Sequence, residues 1–354
     1  MKLGGLDIST VKLGTNQVQA VYQGSNLVWQ NAPVATAATG VGQTSFTANW
    51  NAYSGATYYL LDVSESSDFS TFVYENQITT STSYVVIGLN SNTTYYYRVR
   101  ASTEAYDPDY EAVINYAISQ GYNLPSYSQQ LKQNQLVLDL KDGGIWSKLD
   151  TFAVFATDGD EDFALIDWKT LTQYTAVNSP TFTTNAGFNG NATSSYINSN
   201  FNPLNDSIHM QTNDASFGMY IKTAGTITNR GHGNFSTANG AGIYLNPNGT
   251  GAVRIWMNSG GVFSGNNLNR VGFYQIDRSS SLNVNYIKNG VQIENTTIDS
   301  TFRPDGNLYF LASLIGSSAG DFNDDQLSLV YAGSSLNSEK ANFNNAVNTY
   351  ITSL

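Results

Sequence analysis

Apolar residues recur at every second position through much of this 354-residue chain, and a period of two is the mark of half-buried β-strands. Phe46, Ala48 and Trp50 alternate with polar neighbours, and further short strands follow at 58–63, 72–74, 83–87 and 95–101. From Tyr174 onward the same pattern continues through 216–221, 242–245, 252–257, 271–277, 281–288, 308–315 and 326–332, with Asn246-Pro-Asn-Gly, Lys288-Asn289-Gly290 and Pro304-Asp305-Gly306 as the dividing turns. Asn289-Gly290 between Val284-x-Tyr286 and Val291-x-Ile293 predicts a two-residue hairpin. The period switches in three places. Asp107-Pro108 offers an N-cap followed by Pro at the first helical position, Val113, Ile114, Ala117 and Ile118 share one face, and Gly121 closes the helix. A second helix is predicted from Ser126 to Lys141 through Leu131, Leu136, Val137 and Leu140, stopped by Gly143-Gly144. A last one carries Phe343, Ala346, Val347, Tyr350 and Ile351 on the face that packs against the sheets.

The first thirty residues repeat with a period of ten: Lys2-Leu3-Gly4 aligns with Lys12-Leu13-Gly14, and Val11, Gly14, Asn16 and Val18 align with Val21, Gly24, Asn26 and Val28. Val18, Ala20, Tyr22 and Leu27, Trp29 read as half-buried strands, with Gly14-Thr15-Asn16 and Gly24-Ser25-Asn26 as turns. Thirty residues bury too little apolar surface to stand alone, so the module is expected either to dock on a partner chain or to pack as an extra hairpin on the next domain. Its closing Val21-Tyr22-x-Gly24-Ser25-x-x-Val28-Trp29 resembles the N-terminal segments of phage virion proteins.

Composition narrows the function classes. There is no Cys, which excludes disulfide scaffolds, Cys-ligated metal and thiol chemistry. Charged residues are only 12% of the chain, and 27 acidic against 16 basic residues leave a formal charge of −11, which opposes nucleic-acid and anionic-membrane binding. Residues 107–169 hold 11 acidic and 4 basic residues, so −7 of the −11 is local and the remainder is close to neutral. The N-terminus has no continuous apolar stretch of a secretion signal, and no window approaches a membrane span, which predicts a soluble chain.

Two family resemblances follow from ordered sets of residues. Leu89-Asn-Ser-Asn-Thr93-Thr-Tyr95-Tyr-Tyr-Arg98-Val99-Arg-Ala101 is similar to the tyrosine-corner strand of fibronectin type III domains, with Tyr95 at the corner and Trp50 in the place of the core tryptophan; Ser91 stands where the family often has Pro. Leu140-Lys141-x-x-Gly144-Ile145-Trp146-x-Lys148-Leu149, Asn178-Ser-Pro-Thr-Phe182, Gly187-Phe188-x-Gly190, Ser195-Tyr196-Ile197, Phe201-Asn-Pro203 and Leu329-Val-Tyr331-Ala-Gly-Ser-Ser-Leu336 together resemble concanavalin A-like lectin/glucanase (laminin G-like) domains of phage virion proteins. The second resemblance implies a jelly roll of two curved antiparallel sheets whose concave face or edge loops bind glycans in relatives.

Candidate chemistry is sparse. Glucan-cutting relatives on this sandwich resemble one another in a Glu-x-Asp-x-Glu strand, because retaining hydrolysis needs paired carboxylates about 5 Å apart, and the chain has no such triplet. Asp158-Gly-Asp160-Glu161-Asp162 spaces its carboxylates like a calcium loop, but the turn glycine is missing and Lys169 stands where the bidentate Glu belongs, so it reads as a solvated acidic loop. Asp321, Asp324 and Asp325 read as a turn, and His209 and His232 lack the spacing of a metal site or a triad. No catalytic residue, metal or cofactor is expected. Sugar binding needs an aromatic platform and planar polar groups. Trp256, Tyr244, Arg254, Arg230, His232 and Asn234 fall in neighbouring strands and loops and are the ligand-binding candidates, with burial in the core as the competing role of Trp256 and Tyr244; Trp146 and Trp168 read as packing anchors. Alternation puts Arg254 and Trp256 on one side of a strand, and the Arg marks that side as a surface.

The resulting expectation is a mainly β protein: residues 1–32 a virion-docking β module, 33–104 a fibronectin type III sandwich, 105–155 a helical connector, and 156–354 a concanavalin A-like jelly roll. The expected role is that of a non-enzymatic phage virion protein, a fibre, appendage or capsid decoration, homo-oligomeric, joined to other virion proteins through its N-terminal segment and offering its lectin domain to host surface polysaccharide. A purely structural tail or capsid component and a glycan-degrading enzyme accessory are the alternatives.

Overall fold

The computed structural model describes residues 33–354 apart from Ser54, 103–105, 227–229, 236–238, 246–251 and 267–268, together with the backbone of the short strands within residues 1–32; side chains are described from residue 33 onward, excepting 263–266. The chain is mainly β and divides into two compact units, Met1–Ala105 and Tyr106–Leu354. No described helix is long and apolar enough to cross a membrane.

In the first unit three hairpins come first: β1 (Lys2–Leu3) with β2 (Leu6–Asp7), β3 (Lys12–Leu13) with β4 (Asn16–Gln17), and β5 (Ala20–Gln23) with β6 (Asn26–Gln30). The burial expected of Val18, Ala20, Tyr22, Leu27 and Trp29 and the turn residues 14–15 and 24–25 lie outside the described residues, as does the Asn246-Pro-Asn-Gly turn. Six strands then form a two-sheet sandwich: β7 (Ala35–Thr39), β8 (Phe46–Trp50), β9 (Tyr58–Ser64), β10 (Tyr74–Thr79), β11 (Ser83–Val86) and β12 (Tyr96–Ser102). One sheet runs β11-β8-β7 and the other β10-β9-β12, all antiparallel. Alternation works as written in the sequence, since Phe46, Ala48 and Trp50 are buried and meet Leu61, Val63, Val86 and Val99 between the sheets. Trp50 sits 5.7 Å from Tyr59, and the Tyr95 hydroxyl accepts a 2.9 Å hydrogen bond from the Asn90 N–H, tying the turn to the strand.

The second unit begins with α1 (Pro108–Gln120) and α2 (Tyr127–Asp142). Asp107 caps α1 by accepting from the Asp109 N–H, and Gly121 ends it in the left-handed region. A 3-10 turn (Trp146–Lys148) leads into β13 (Leu149–Val154), α3 (Glu161–Ala164), β14 (Ile166–Asp167), β15 (Thr172–Gln173), β16 (Thr175–Val177), β17 (Thr181–Thr183), β18 (Gly187–Asn189), β19 (Tyr196–Asn198) and β20 (Ala215–Thr223). Then come β21 (Arg230–Phe235), β22 (Gly240–Leu245), β23 (Ala252–Ser259), β24 (Val262–Asn266), β25 (Gly272–Arg278), β26 (Asn283–Lys288), β27 (Val291–Thr297), β28 (Tyr309–Phe310), β29 (Ser313–Ile315), β30 (Ser318–Gly320), β31 (Gln326–Gly333) and α4 (Lys340–Thr352).

Two large sheets face each other. One has eight strands in the order β17-β18-β31-β20-β25-β26-β27, with β13 also on β31; the other has six, β24-β23-β22-β21-β29-β30. Phe217, Met219, Ile276 and Val330 from the first meet Ile243, Ile255 and Met257 from the second in one core. The back of the eight-stranded sheet is apolar too, because Phe152, Val154, Phe273, Leu329 and Tyr331 point away from that core and pack against Tyr110 and Val113 of α1, Leu136 and Val137 of α2, and Phe343 and Val347 of α4. The unit therefore has three layers: helices, eight strands, six strands. Helices α1 and α2 form part of the same compact unit as the sheets. On α2 the buried stripe begins with glutamines. Gln133 accepts a 2.7 Å hydrogen bond from the Tyr110 hydroxyl and donates to Thr157 Oγ1 and the Tyr350 hydroxyl, so their burial leaves no amide unmatched. Asn289 and Gly290 both have positive φ and join Lys288 to Val291, as the hairpin requires.

The acidic 158–162 loop serves as a brace. Asp160 caps α3 through the Phe163 N–H (2.9 Å) and takes the Asn123 N–H (2.7 Å), and Asp158 takes the Ser126 N–H (2.9 Å).

Candidate functional site

The six candidate residues all lie on β21, β22 and β23, which are adjacent in the six-stranded sheet. Their register splits them between its faces. Gly231 pairs with Tyr244 and Tyr244 with Arg254, while Gly233 pairs with Gly242 and Gly242 with Trp256, so these residues share the outer face with Phe235. Arg230, His232 and Asn234 point the other way, alongside Leu245, Ile243 and Ala241, into the space between the sheets.

The outer face is aromatic because its floor is glycine. Trp256 lies flat and stacks on Phe235 with ring centroids 4.1 Å apart, and Tyr244 stands 5.9 Å from Phe235. A Cβ on Gly242 would come within 2.6 Å of the Phe235 ring, and one on Gly240 within 2.7 Å of the Trp256 indole; Gly261 presses on the other edge of the same indole. Only backbone without side chains lets the two rings sit this close. Trp256 is 7% exposed and serves as a base, whereas Tyr244 and Arg254 stand partly open above it. The Arg254 guanidinium lies over the indole at 5.0 Å and donates to the Gly261 carbonyl at 3.2 Å. The Tyr244 hydroxyl donates to Asp321 at 3.2 Å. Burial, followed by the neighbouring Asp321 charge, pushes the Tyr244 phenol up, and burial also raises the Asp321 carboxyl against the opposing pull of that hydrogen bond. Tyr244 thus stays a neutral donor. The half-open rim holds an aromatic edge, a guanidinium and a carboxylate within one small area, a set able to grip vicinal hydroxyls.

The interior trio holds loops, His232 and Asn234 through hydrogen bonds and Arg230 through ion pairs. His232 accepts the Leu311 N–H on Nδ1 at 3.2 Å, and its Nε2 faces Asp325 at 3.5 Å. Arg230, wholly buried, lies 3.5 Å from Asp325 and 3.8 Å from Asp324. Asp325 and Asp324 in turn take the N–H groups of Gly225 and Thr226, each at 2.7 Å. Asn234 donates to the Gly306 carbonyl at 2.9 Å. These contacts fasten the 305–325 segment and the 225–226 corner to β21.

Phe235 and Asp321 are partners that sequence reasoning did not select. Asp321 belongs to an acidic cluster visible in the sequence, but only the folded register brings it to Tyr244. His209 lines a separate cavity of about 340 Å³ with Asp150, Asp167, Lys169, Asn200 and Phe201. Its carboxylates are committed: Asp150 accepts the N–H groups of Ile208, His209 and Met210, and Asp167 those of Phe152 and Lys169. Among the described residues no group of three His, Cys, Asp or Glu is placed to hold a metal ion.

No family model and no curated protein matches the chain. Solved structures with a similar path include the botulinum neurotoxin serotype D binding domain (12% identity, TM-score 0.40, 56% of this chain and 52% of that one, about half its length). Another is domain 4 of an extracellular arabinanase from Geobacillus stearothermophilus in complex with arabinotriose (16%, 0.36, 55% and 98%). A third is a mutant Trypanosoma rangeli sialidase displaying trans-sialidase activity (10%, 0.43, 79% and 47%). One expectation is corrected here. The missing Glu-x-Asp-x-Glu strand does not make the chain non-enzymatic, since an enzyme stands among the similar structures.

Proposed function

We propose that the second unit is a lectin-like carbohydrate-binding domain and that its ligand sits on the outer face of the six-stranded sheet. The observation that carries the reading is the partly open rim of Tyr244, Arg254 and Asp321 above the stacked Trp256–Phe235 base. The stack braces the rim, and the rim supplies planar hydrogen-bonding groups of both signs. In this reading the chain is a phage virion component, a fibre, appendage or capsid decoration. The first unit, read as a fibronectin type III spacer, carries the lectin domain; residues 1–32 attach it to other virion proteins, and host surface polysaccharide is what the domain meets.

Two experiments test this. The full chain and its Arg254→Gln variant are applied to a glycan array, with released reducing ends assayed in parallel to detect cleavage. Binding by the parent that the variant loses is the expected result, and a parent that retains no polysaccharide sinks the adhesion reading. Deleting residues 1–30 is expected to leave a folded protein absent from purified particles, and normal incorporation would remove the docking role.

A further inference from the structure

A second group of rings lies on the small sheet β16-β19-β28 of the second unit. Ile197 pairs with Phe310, and both are buried in the core between the large sheets, so Tyr196 and Tyr309, one position away on each strand, turn to the opposite face. There their ring centroids are 4.7 Å apart, and the Phe322 ring stands 6.1 Å from that of Tyr196. All three are half-buried, which leaves ring surface open. The segment carrying Phe322 is fastened on both sides: Asp321 accepts the Tyr244 hydroxyl at 3.2 Å, and the wholly buried Asn323 donates its N–H to the Leu311 carbonyl and its amide to the Gly231 carbonyl, each at 3.0 Å. In register with Tyr309, Asn198 accepts the Asn307 amide at 3.0 Å, while Asn198 Nδ2 and Asn307 Oδ1 have no hydrogen-bond partner among the described residues. Thr175 pairs with Asn198 and Val177 with Tyr196, completing a face on which none of these residues is charged.

Resting on the reading of the second unit as a carbohydrate-binding domain, we propose that Tyr196, Tyr309 and Phe322 form a second sugar site, which takes an uncharged ring of a polysaccharide. The C–H face of a pyranose is apolar and stacks on aromatic surface, while the hydroxyls at its edge need donors and acceptors beside that surface. The three rings supply the first and the open groups of Asn198 and Asn307 the second. An acidic sugar is the poorer ligand, because no cation on this face offsets the removal of its carboxylate from water. A protein is the poorer partner, because a stable interface recruits roughly 20–30 residues a side and this face offers a few. Asp321 and Phe322 are consecutive, so one short segment serves the Tyr244 rim with one residue and this face with the next, and a polymer that reaches both is held by both.

The test applies the full chain to surfaces coated with dextran, laminarin, xylan or galactomannan, which are neutral, and with alginate or hyaluronan, which are acidic. Retention on at least one neutral polymer is expected. Tyr309→Ala should weaken that retention about tenfold, and Tyr309→Phe, which keeps the ring, should leave it within about twofold of the parent. Thr175→Asp, at an exposed position, sets a charge beside the sugar and should also weaken retention about tenfold, so a folding failure of Tyr309→Ala leaves a second variant decisive. Arg254→Gln separates this site from the rim. Retention lost in Arg254→Gln but kept in Tyr309→Ala and Thr175→Asp overturns the second site and leaves the rim; the reverse pattern upholds the second site and removes the rim. Retention on the acidic polymers alone overturns the second site while adhesion stands, and retention on none of the six overturns it as well.

Discussion

Across β21, β22 and β23 the two faces mix polar and apolar residues in opposite ways. Toward the core β21 carries Arg230, His232 and Asn234 beside the apolar Ile243, Leu245, Val253 and Ile255 of its neighbours; away from it the three strands carry Phe235, Trp256 and Tyr244 together with Arg254. His232 and Asn234 are tolerated because each meets a loop group that also needs a partner, the Leu311 N–H or the Gly306 carbonyl, and Arg230 because the Asp325 carboxylate balances its charge. The Phe235 and Trp256 rings are tolerated because glycine backbone lies against each and the two stack on one another. Polarity at a strand position therefore reports what the residue holds, and holding a loop is a different task from meeting a ligand.

That contrast can be broken from the inside first. Asp325→Ala leaves Arg230 buried without its nearest counter-charge, a loss of about 3–5 kcal/mol. Thermal unfolding of the variant is expected about 10 °C below the parent, and an unchanged melting temperature would mean that the inner face does not hold the loops.

The next effect is a dependence on pH. Burial raises the Asp277 carboxyl to about 6, although Ser335 and Leu336 donate to it. The native state then binds this proton more tightly than the unfolded chain, so stability is highest below pH 4 as far as this group is concerned and declines as pH rises to about 6, by roughly 3 kcal/mol. Asp167, raised by the same cause, acts in the same direction. Asp277→Asn should flatten much of that slope in a melting series between pH 4 and 7, and an unchanged slope would assign it elsewhere.

Smaller is Gly242→Ala on the outer face, where the new methyl meets the Phe235 ring; about 1–3 kcal/mol of destabilisation is expected, together with weakened polysaccharide binding. Smallest in stability is Tyr244→Phe, which removes one hydroxyl from the rim. Its melting temperature should stay within about 1 °C of the parent while affinity falls roughly tenfold. Equal losses of stability and affinity in these two variants would merge the faces into one structural role.

Much of the fold was legible where its cause is local. Asp107-Pro108 and Gly121 bound α1 because caps act over one turn, Asn289-Gly290 makes its hairpin because both residues accept positive φ, and Phe46, Ala48 and Trp50 turn inward together because a strand alternates. The buried glutamines of α2 were not legible, because a polar helix stripe enters a core only when Tyr110, Thr157 and Tyr350, distant in sequence, arrive to meet it. The site was legible in part. The alternation argument put Arg254 and Trp256 on one face, where the structure has them. In Arg230-Gly-His-Gly-Asn-Phe235 the polar residues alternate with glycine, so the pattern does not say which side is outward. Register with Ile243 and Tyr244 decides it, and Asp321 joins Tyr244 only through the 305–325 segment.

The glycine floor also governs how this face can change over generations. Where a surface is shaped by side chains, a new preference arises by exchanging one for another. Here the contour beneath Trp256 and Phe235 is set by positions that have none, and any substitution at Gly240, Gly242 or Gly261 collides with a ring already in place. Descendants of this chain should keep those three glycines and vary Tyr244, Arg254 and the segment carrying Asp321, so that altered selectivity accumulates at the rim while the base stays as it is.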